Sequence, residues 1–204
     1  MKSIPNIAIV ILAAGASKRM GSPKQLLKWG NDTLLNHAIK TVLEIDAYEV
    51  IVVLGANHKL IEAGVKHRSI TILNNEDWDL GLGKSIACAT EYVLKSKPQV
   101  EGILITLADQ PLIDSHYLND IMTHFYQDLN QIIATSYDNN KGVPVLFGKV
   151  YFQELSNLTG DNGAKQLLKT HESCVKTFKP PVKNVDLDSK EDYEKLYREN
   201  FKTK

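Results

Sequence analysis

Cysteine is almost missing from these 204 residues: only Cys88 and Cys174 occur, far apart and without metal-ligand spacing. Two thiols so placed make neither a disulfide framework nor a zinc site, and they fit free cysteines in a reducing cytoplasm. A surplus of either charge is also missing, since 24 Lys and Arg balance 24 Asp and Glu for a formal net charge of zero. That leaves no global basic field to hold nucleic acid, although it allows a local basic cleft. No apolar run exceeds the length of a strand, and the one near the N-terminus, after the single Lys2, is too short for a signal-peptide core. No membrane partner is therefore expected, and the expected location is cytoplasmic. Repeats and low-complexity tracts are absent as well. None of the six histidines lies at ligand spacing to another, and no serine sits in a nucleophile elbow. Zinc chemistry and covalent acyl transfer are not indicated.

Two phosphate motifs are missing too. No Gly-x-Gly-x-x-Gly follows the first apolar run, so the dinucleotide fingerprint is absent. Gly83-Lys84-Ser85 ends like a P-loop, but the first glycine of that motif would fall at Trp78, with no strand running into it.

What is present starts at Ile7. Ile7 to Leu12 is apolar throughout and rich in β-branched residues, which reads as a strand buried on both faces at the centre of a parallel sheet. Ala13, Ala14, Gly15, Ala16 and Ser17 follow, and none of them carries a large side chain. Successive N–H groups at such a strand end form an anion-binding concavity. Lys18, Arg19 and Lys24 add three cations in or beside that loop, which Gly21 and Pro23 bend. Amide donors with fixed positive charge are what a triphosphate needs as negative charge moves onto its leaving group.

Downstream, Asp32 or Thr33 can cap a helix with Leu34, Leu35, Ala38, Ile39, Val42 and Leu43 as its apolar stripe. Strands are expected at Glu49 to Leu54 and Ser69 to Leu73, with a short helix over Asn57 to Val65 between them. A βαβαβ pattern of this kind predicts parallel strands joined by right-handed crossovers. Asn74 to Ser85 is polar, holds two glycines and Trp78, and leaves the C-terminal end of a strand, where ligands bind in open α/β sheets. A helix from about Gly83 should bury Ile86, Ala89 and Val93. Glu101 to Leu107 is the fourth strand, and Ala108-Asp109-Gln110-Pro111 follows it at once. Asp109 there reads either as a hard-oxygen ligand for Mg²⁺ facing the same cleft, or as an Asx-turn residue before proline. A helix over Ser115 to Leu129, a strand over Gln131 to Thr135 and an apolar run ending at Phe147 come next. Leu158 to Lys165 is a turn rich in Gly and Asx residues that opens a helix through Leu167 and Leu168. Asn184 to Asp188 is expected as a last strand-like piece with Asp186 and Asp188 on one face, followed by a helix capped by Ser189.

Leu12-Ala13-Ala14-Gly15-x-Ser17-x-Arg19-Met20-Gly21-x-x-Lys24-x-Leu26-Leu27 resembles the signature of the MobA-like nucleotidyltransferases, and most closely their molybdenum cofactor cytidylyltransferase branch. Further stretches are similar to that family's motifs in order: Asn75, Trp78, Gly81 and Ser85; Leu107-Ala108-Asp109-x-Pro111; Tyr137 to Phe147; Gly160 to Lys165; and Asp186 to Asp192. Three departures stand out. Val143 replaces a frequent histidine, Lys165 replaces arginine, and Ser189-Lys190 replaces Thr-Pro. Lysine keeps the charge of arginine but loses its bidentate fork.

The resemblance implies a single domain over residues 1–204, a three-layer α/β/α fold with a mostly parallel, Rossmann-like sheet of the nucleotide-diphospho-sugar transferase type. It implies transfer of CMP from CTP to a phosphorylated small-molecule acceptor, molybdenum-bearing molybdopterin in that branch, with release of pyrophosphate. Leu12, Ala13, Ala14, Gly15, Ser17, Arg19, Lys24, Asn75, Ser85 and Asp109 would bind the nucleotide, and Arg19, Lys24 and Asp109 would be catalytic. Mg²⁺ would sit on Asp109 with Asp186 or Asp188, and a molybdoenzyme is the implied client. CTP is favoured because the guanylyl-transferring relatives carry glycine where this chain has Ala14. Transfer to a sugar or polyol phosphate and a non-catalytic cofactor-binding chaperone are the alternatives.

Overall fold

The computed structural model describes residues 5–137, 140–180 and 186–201. β1, Ile7–Leu12, is buried at every residue. A small antiparallel hairpin, β2 (Lys28–Trp29) and β3 (Asp32–Thr33), leads into α1 (Leu34–Leu43). Thr33 begins α1 as expected, its side chain accepting from the N–H of Asn36 at 3.2 Å. β4 (Glu49–Leu54), α2 (His58–Ala63) and β5 (Thr71–Asn74) complete the first βαβαβ unit. α3 (Leu82–Ser96) and β6 (Gly102–Leu107) follow, then α4 (Ser115–Phe125), whose first turn is capped by Asp114 accepting from Tyr117 N–H at 2.8 Å. β7 (Ile132–Tyr137), β8 (Asn140–Gly148), α5 (Phe152–Ser156), α6 (Lys165–Thr170), β9 (Val175–Phe178) and α7 (Lys190–Phe201) close the chain.

Seven strands form one sheet in the order β5-β4-β1-β6-β8-β7-β9. β8 runs antiparallel to both neighbours, and every other pairing is parallel. Alternation along β1 splits the core into two layers. Ile7, Ile9 and Ile11 pack with Leu35, Ile39 and Val42 of α1 and with Leu118, Ile121 and Phe125 of α4. Ala8, Val10 and Leu12 face Ile86, Ala89 and Val93 of α3, with Phe152, Leu155, Leu167 and Leu168 beyond. The result is the expected α/β/α sandwich, with β1 an interior strand between β4 and β6. Its parallel strands β5, β4, β1 and β6 all point their C-terminal ends to one edge, where the chain's polar loops gather.

Expected and observed bounds differ by a residue or two in several segments, and in three the difference has a local cause. The strand expected over Ser69 to Leu73 runs from Thr71 to Asn74, because its pairing with β4 starts at Ile51 opposite Thr71 and ends at Leu54 opposite Asn74. The helix expected to reach Leu129 stops at Phe125. There Asp128 accepts from Asn130 N–H at 2.9 Å in an Asx turn, and Gln131 spends its side chain on the carbonyl of His124 at 2.9 Å. In the expected strand over Asn184 to Asp188, Asn184 and Val185 lie outside the described residues. Asp186 to Asp188 is a bend instead, since the N–H of Asp188 turns back to the carbonyl of Asp186 at 3.1 Å and joins no ladder.

α7 is held by a third apolar cluster of Trp29, Leu34, Leu187 and Leu196. Trp29 meets Tyr197 and Phe201 edge to face, with centroids 6.1 and 5.0 Å apart. Ser189 caps the helix reciprocally: its Oγ accepts from Asp192 N–H at 3.1 Å, and the Asp192 carboxylate accepts from Ser189 N–H at 3.1 Å. This clamp sets the three residues before α7 against the end of β6.

Candidate active site

The loop after β1 is built by one buried side chain. Gln25 Nε2 donates to the carbonyls of Ala13 at 2.7 Å and Gly15 at 2.9 Å, pulling both oxygens inward. Ser17 takes a left-handed conformation at φ 53, uncommon for a residue with a side chain, and its Oγ accepts from Lys24 N–H at 3.1 Å. With those carbonyls turned away, the N–H groups of Gly15, Ala16 and Ser17 donate to no other described group. A curled backbone with several free amides is an anion cradle. Single 3-10 turns over Lys18–Met20 and Lys24–Leu26 then bring Lys24 back to the strand end.

Asp109 lies two residues beyond β6 and is buried, at 8% exposure. Lys24 Nζ donates to its Oδ2. Burial pushes the Asp109 carboxyl above its ordinary value, the Lys24 ammonium works against that rise, and the charge of Asp186 adds to it. The bend at 186–188 wraps around this pair. Leu187 is fully buried, its N–H donates to the Asp109 carbonyl at 3.3 Å, and its own carbonyl accepts from Lys24 at 3.4 Å. The flanking carboxylates diverge: Asp186 accepts from Gln110 Nε2 at 2.8 Å, while Asp188 takes Arg19 at 3.1 Å and lies 3.6 Å from Lys24. Leu187→Ala should therefore destabilise the chain by about 2–5 kcal/mol, the usual cost of such a core truncation. It should also release both aspartates, so thermal unfolding and nucleotide titration are expected to fall together.

The second loop is zipped to the Gly-Asx turn. Gly83 N–H donates to the carbonyl of Gly160 at 2.9 Å, and Gly160 N–H to that of Leu80 at 2.9 Å. Trp78 lies directly on Gly55, where an added Cβ would meet the Trp78 Cβ at 2.5 Å. Behind this loop Asn75 Nδ2 donates to Ser85 Oγ at 3.0 Å, both residues being buried. Asn75 Oδ1 accepts from Asp77 N–H at 3.1 Å. The Ser85 hydroxyl thus has one lone pair engaged, and its proton has no acceptor among the described residues.

Two cavities meet across the strand ends. One of about 400 Å³ is lined by Leu12, the loop 13–18, Lys24, Gln25, Trp78, Ser85 and Asp109. The other, about 810 Å³, lies between β8, α6 and the Asp186 bend. Leu82, Leu107 and Asp161 border both. The larger one combines apolar walls (Leu82, Ile86, Leu107, Val143, Val145, Leu168) with Lys165 and Lys169.

Of the residues expected from sequence, Leu12, Ala13, Ala14, Gly15, Ser17, Lys24, Ser85 and Asp109 converge on the first cavity. Asn75 stands behind Ser85 rather than on the wall. Arg19 is not on the wall either: its side chain is 72% exposed and reaches Asp188. Asp186 borders the second cavity and Asp188 borders neither. Among the described residues no three His, Cys, Asp or Glu side chains converge as a ready metal cage. Gln25 and Gln110 carry no role that their sequence context predicts. Neither stands out, since a glutamine beside charged or turn residues reads as surface, yet both are buried.

A family model, the MobA-like NTP transferase domain, matches residues 9–175. The chain belongs to that family. It is 32% identical over 177 residues to the nicotine blue oxidoreductase of Paenarthrobacter nicotinovorans, covering 81% of this chain and 83% of that protein. Among solved structures, it is similar to the homologue of Mycobacterium tuberculosis Rv0371c from Mycobacterium sp. strain JC1, with 29% identity, a TM-score of 0.84, and 95% and 96% of the two chains covered. The Rv0371c protein of M. tuberculosis H37Rv in complex with manganese is 25% identical, with a TM-score of 0.78 over 95% of this chain and 98% of that one.

Proposed function

We propose that this MobA-like NTP transferase moves CMP from CTP to the terminal phosphate of molybdenum-bearing molybdopterin, releasing pyrophosphate, as the cytidylyltransferase branch of its family would. The observation that carries the reading is the Lys24–Asp109 pair on the wall of an anion cradle, which meets a second, larger cavity along Leu82, Leu107 and Asp161. A triphosphate laid on the free amides of 15–17 has its α-phosphorus near that junction. An oxygen of the acceptor phosphate attacks it, a new phosphoanhydride forms, and the old one to the β-phosphate breaks. The attacking oxygen is already ionised near neutral pH, so no general base is required. The protein's work is alignment and charge. Lys24 and the loop amides take up charge on departing pyrophosphate, with Arg19 at the exposed rim of the same loop.

The donor set suits Mg²⁺: buried Asp109 with Asp186 beside it offers hard oxygens, and Mg²⁺ takes its remaining ligands from phosphates and water. Bound there, the ion would neutralise the phosphates and polarise the α-phosphoryl group. The manganese complex of the Rv0371c protein supports a divalent site in a relative of this fold.

Two features favour CTP. Ala14 is buried on the cavity wall, where its methyl limits how closely a bicyclic purine approaches the backbone. The Ser85 proton, freed by the Asn75 bond, can be given to an acceptor such as cytosine O2 or N3. The size and apolar walls of the second cavity favour a ring-bearing acceptor over a polyol phosphate. The acceptor of that type is one that a molybdoenzyme client in the cytoplasm would receive. Specificity constants from acceptor-dependent pyrophosphate release should rank CTP above GTP, ATP and UTP. The steric part alone is expected to be about 1–3 kcal/mol. GTP ahead of CTP would move the chain to the guanylyl-transferring branch.

A further inference from the structure

The Lys24 ammonium has three N–H donors, and three acceptors surround it: Asp109 Oδ2, the carbonyl of Leu187 at 3.4 Å and Asp188 Oδ1 at 3.6 Å. All three belong to the segments proposed to hold the metal. The pair is sheltered, with the Lys24 and Asp109 side chains 20% and 12% exposed. A cation therefore already fills the place of a metal on Asp109, and a carboxylate fills the place of a phosphate on Lys24. We infer that Lys24 is the counter-ion of Asp109 in the free protein, and that nucleotide and metal enter by exchanging partners with this pair. This rests on the nucleotidyl-transfer reading.

The physics is a matter of uncompensated charge. A metal arriving alone must displace the Lys24 ammonium and leave it without an anion in a sheltered cleft. A triphosphate arriving alone must strip Lys24 from Asp109 and leave a buried carboxylate unpaired. Arriving together, the triphosphate takes Lys24 and the metal takes Asp109, so every charge keeps a partner. Each ligand thus raises the affinity for the other, as linkage requires. Asp188 and Arg19 extend the exchange outward, because Asp188 also touches Lys24.

Mn²⁺ alone, followed by electron paramagnetic resonance, tests the first half. Lys24→Met should bind Mn²⁺ about tenfold more tightly than the unaltered chain, the scale of one charge-assisted contact. The gain should vanish in the Lys24→Met/Asp109→Asn double variant. Lys24→Gln, which keeps an N–H donor for the carboxylate, serves if the methionine variant does not fold. The reciprocal half uses CTP in EDTA, read from tryptophan fluorescence, since Trp78 lines the cavity. Asp109→Asn should bind metal-free CTP severalfold more tightly, and by less when Lys24 is also replaced. Unchanged or weaker Mn²⁺ binding in the lysine variants, or unchanged CTP binding in Asp109→Asn, overturns the inference. Both arms are binding measurements. Exchange without pyrophosphate release would refute transfer alone, and transfer without exchange would refute this inference alone.

Discussion

Asp109→Asn is expected to lower turnover about 10²–10³-fold, an increase of about 3–4 kcal/mol in the barrier, while the fold survives. The substitution keeps the shape of the side chain and its place beyond β6. It removes the buried charge that faces the triphosphate cradle and pairs with Lys24. Stability should change little, and the sign of the carboxyl's shift says why. Burial holds that carboxyl above its ordinary value, so the folded chain bears a cost for keeping it ionised at neutral pH. A neutral amide removes that cost while weakening the bond to Lys24. Turnover and thermal unfolding on the same preparation check both statements. A variant within about threefold of the unaltered rate would take Asp109 out of the chemistry.

Gly81→Ala is expected to have the second-largest effect, through the backbone. Gly81 sits at φ 101, where a side chain is strained, and its added Cβ would meet the Gly160 carbonyl carbon at 2.3 Å and oxygen at 2.6 Å. Backbone cannot step aside as a flexible side chain can. Left-handed strain and overpacking together should cost about 2–6 kcal/mol. For a chain of this size that is a fall in Tm on the order of 10 °C. The damage should reach the site, because the contact that fails is the one joining the Trp78–Ser85 loop to the Gly-Asx turn. Gly15→Ala is the contrast: nothing lies within 4 Å of its added Cβ and its φ is ordinary. It should leave the fold intact while obstructing the approach of phosphates. Differential scanning calorimetry with CTP titration separates the two; equal stability of both variants would refute the contact argument.

The parts of this molecule legible in the sequence are those where one local signal matched the final environment. Ile7 to Leu12 and Glu49 to Leu54 are apolar because both faces of their strands are covered, so their bounds were readable to the residue. Asp109 was readable because a carboxylate directly after a buried strand has few places to point. The parts that were not legible depend on chain crossing from far away. The Asp186–Asp188 bend looked like an alternating strand, but its backbone bonds to itself and to Asp109. Its aspartates part company because Gln110 takes one and Arg19 and Lys24 take the other. Arg19 was expected among the cations of the loop, and its exposed side chain pairs with Asp188, 169 positions along in sequence. Gln25 could not be found at all, since only the folded loop presents two carbonyls to one amide group.

The most direct test of the central claim follows the phosphorus atoms. CTP carrying ³²P at the α position, or in a second reaction at the γ position, is incubated with the protein, Mg²⁺ and molybdenum-bearing molybdopterin. Nucleotidyl transfer beside the Lys24–Asp109 pair predicts that the α label moves into the acceptor through a phosphoanhydride and the γ label leaves in pyrophosphate, in equal amounts. Label from the γ position in the acceptor, or α label that stays in unreacted CTP under conditions where CTP is bound, would contradict it.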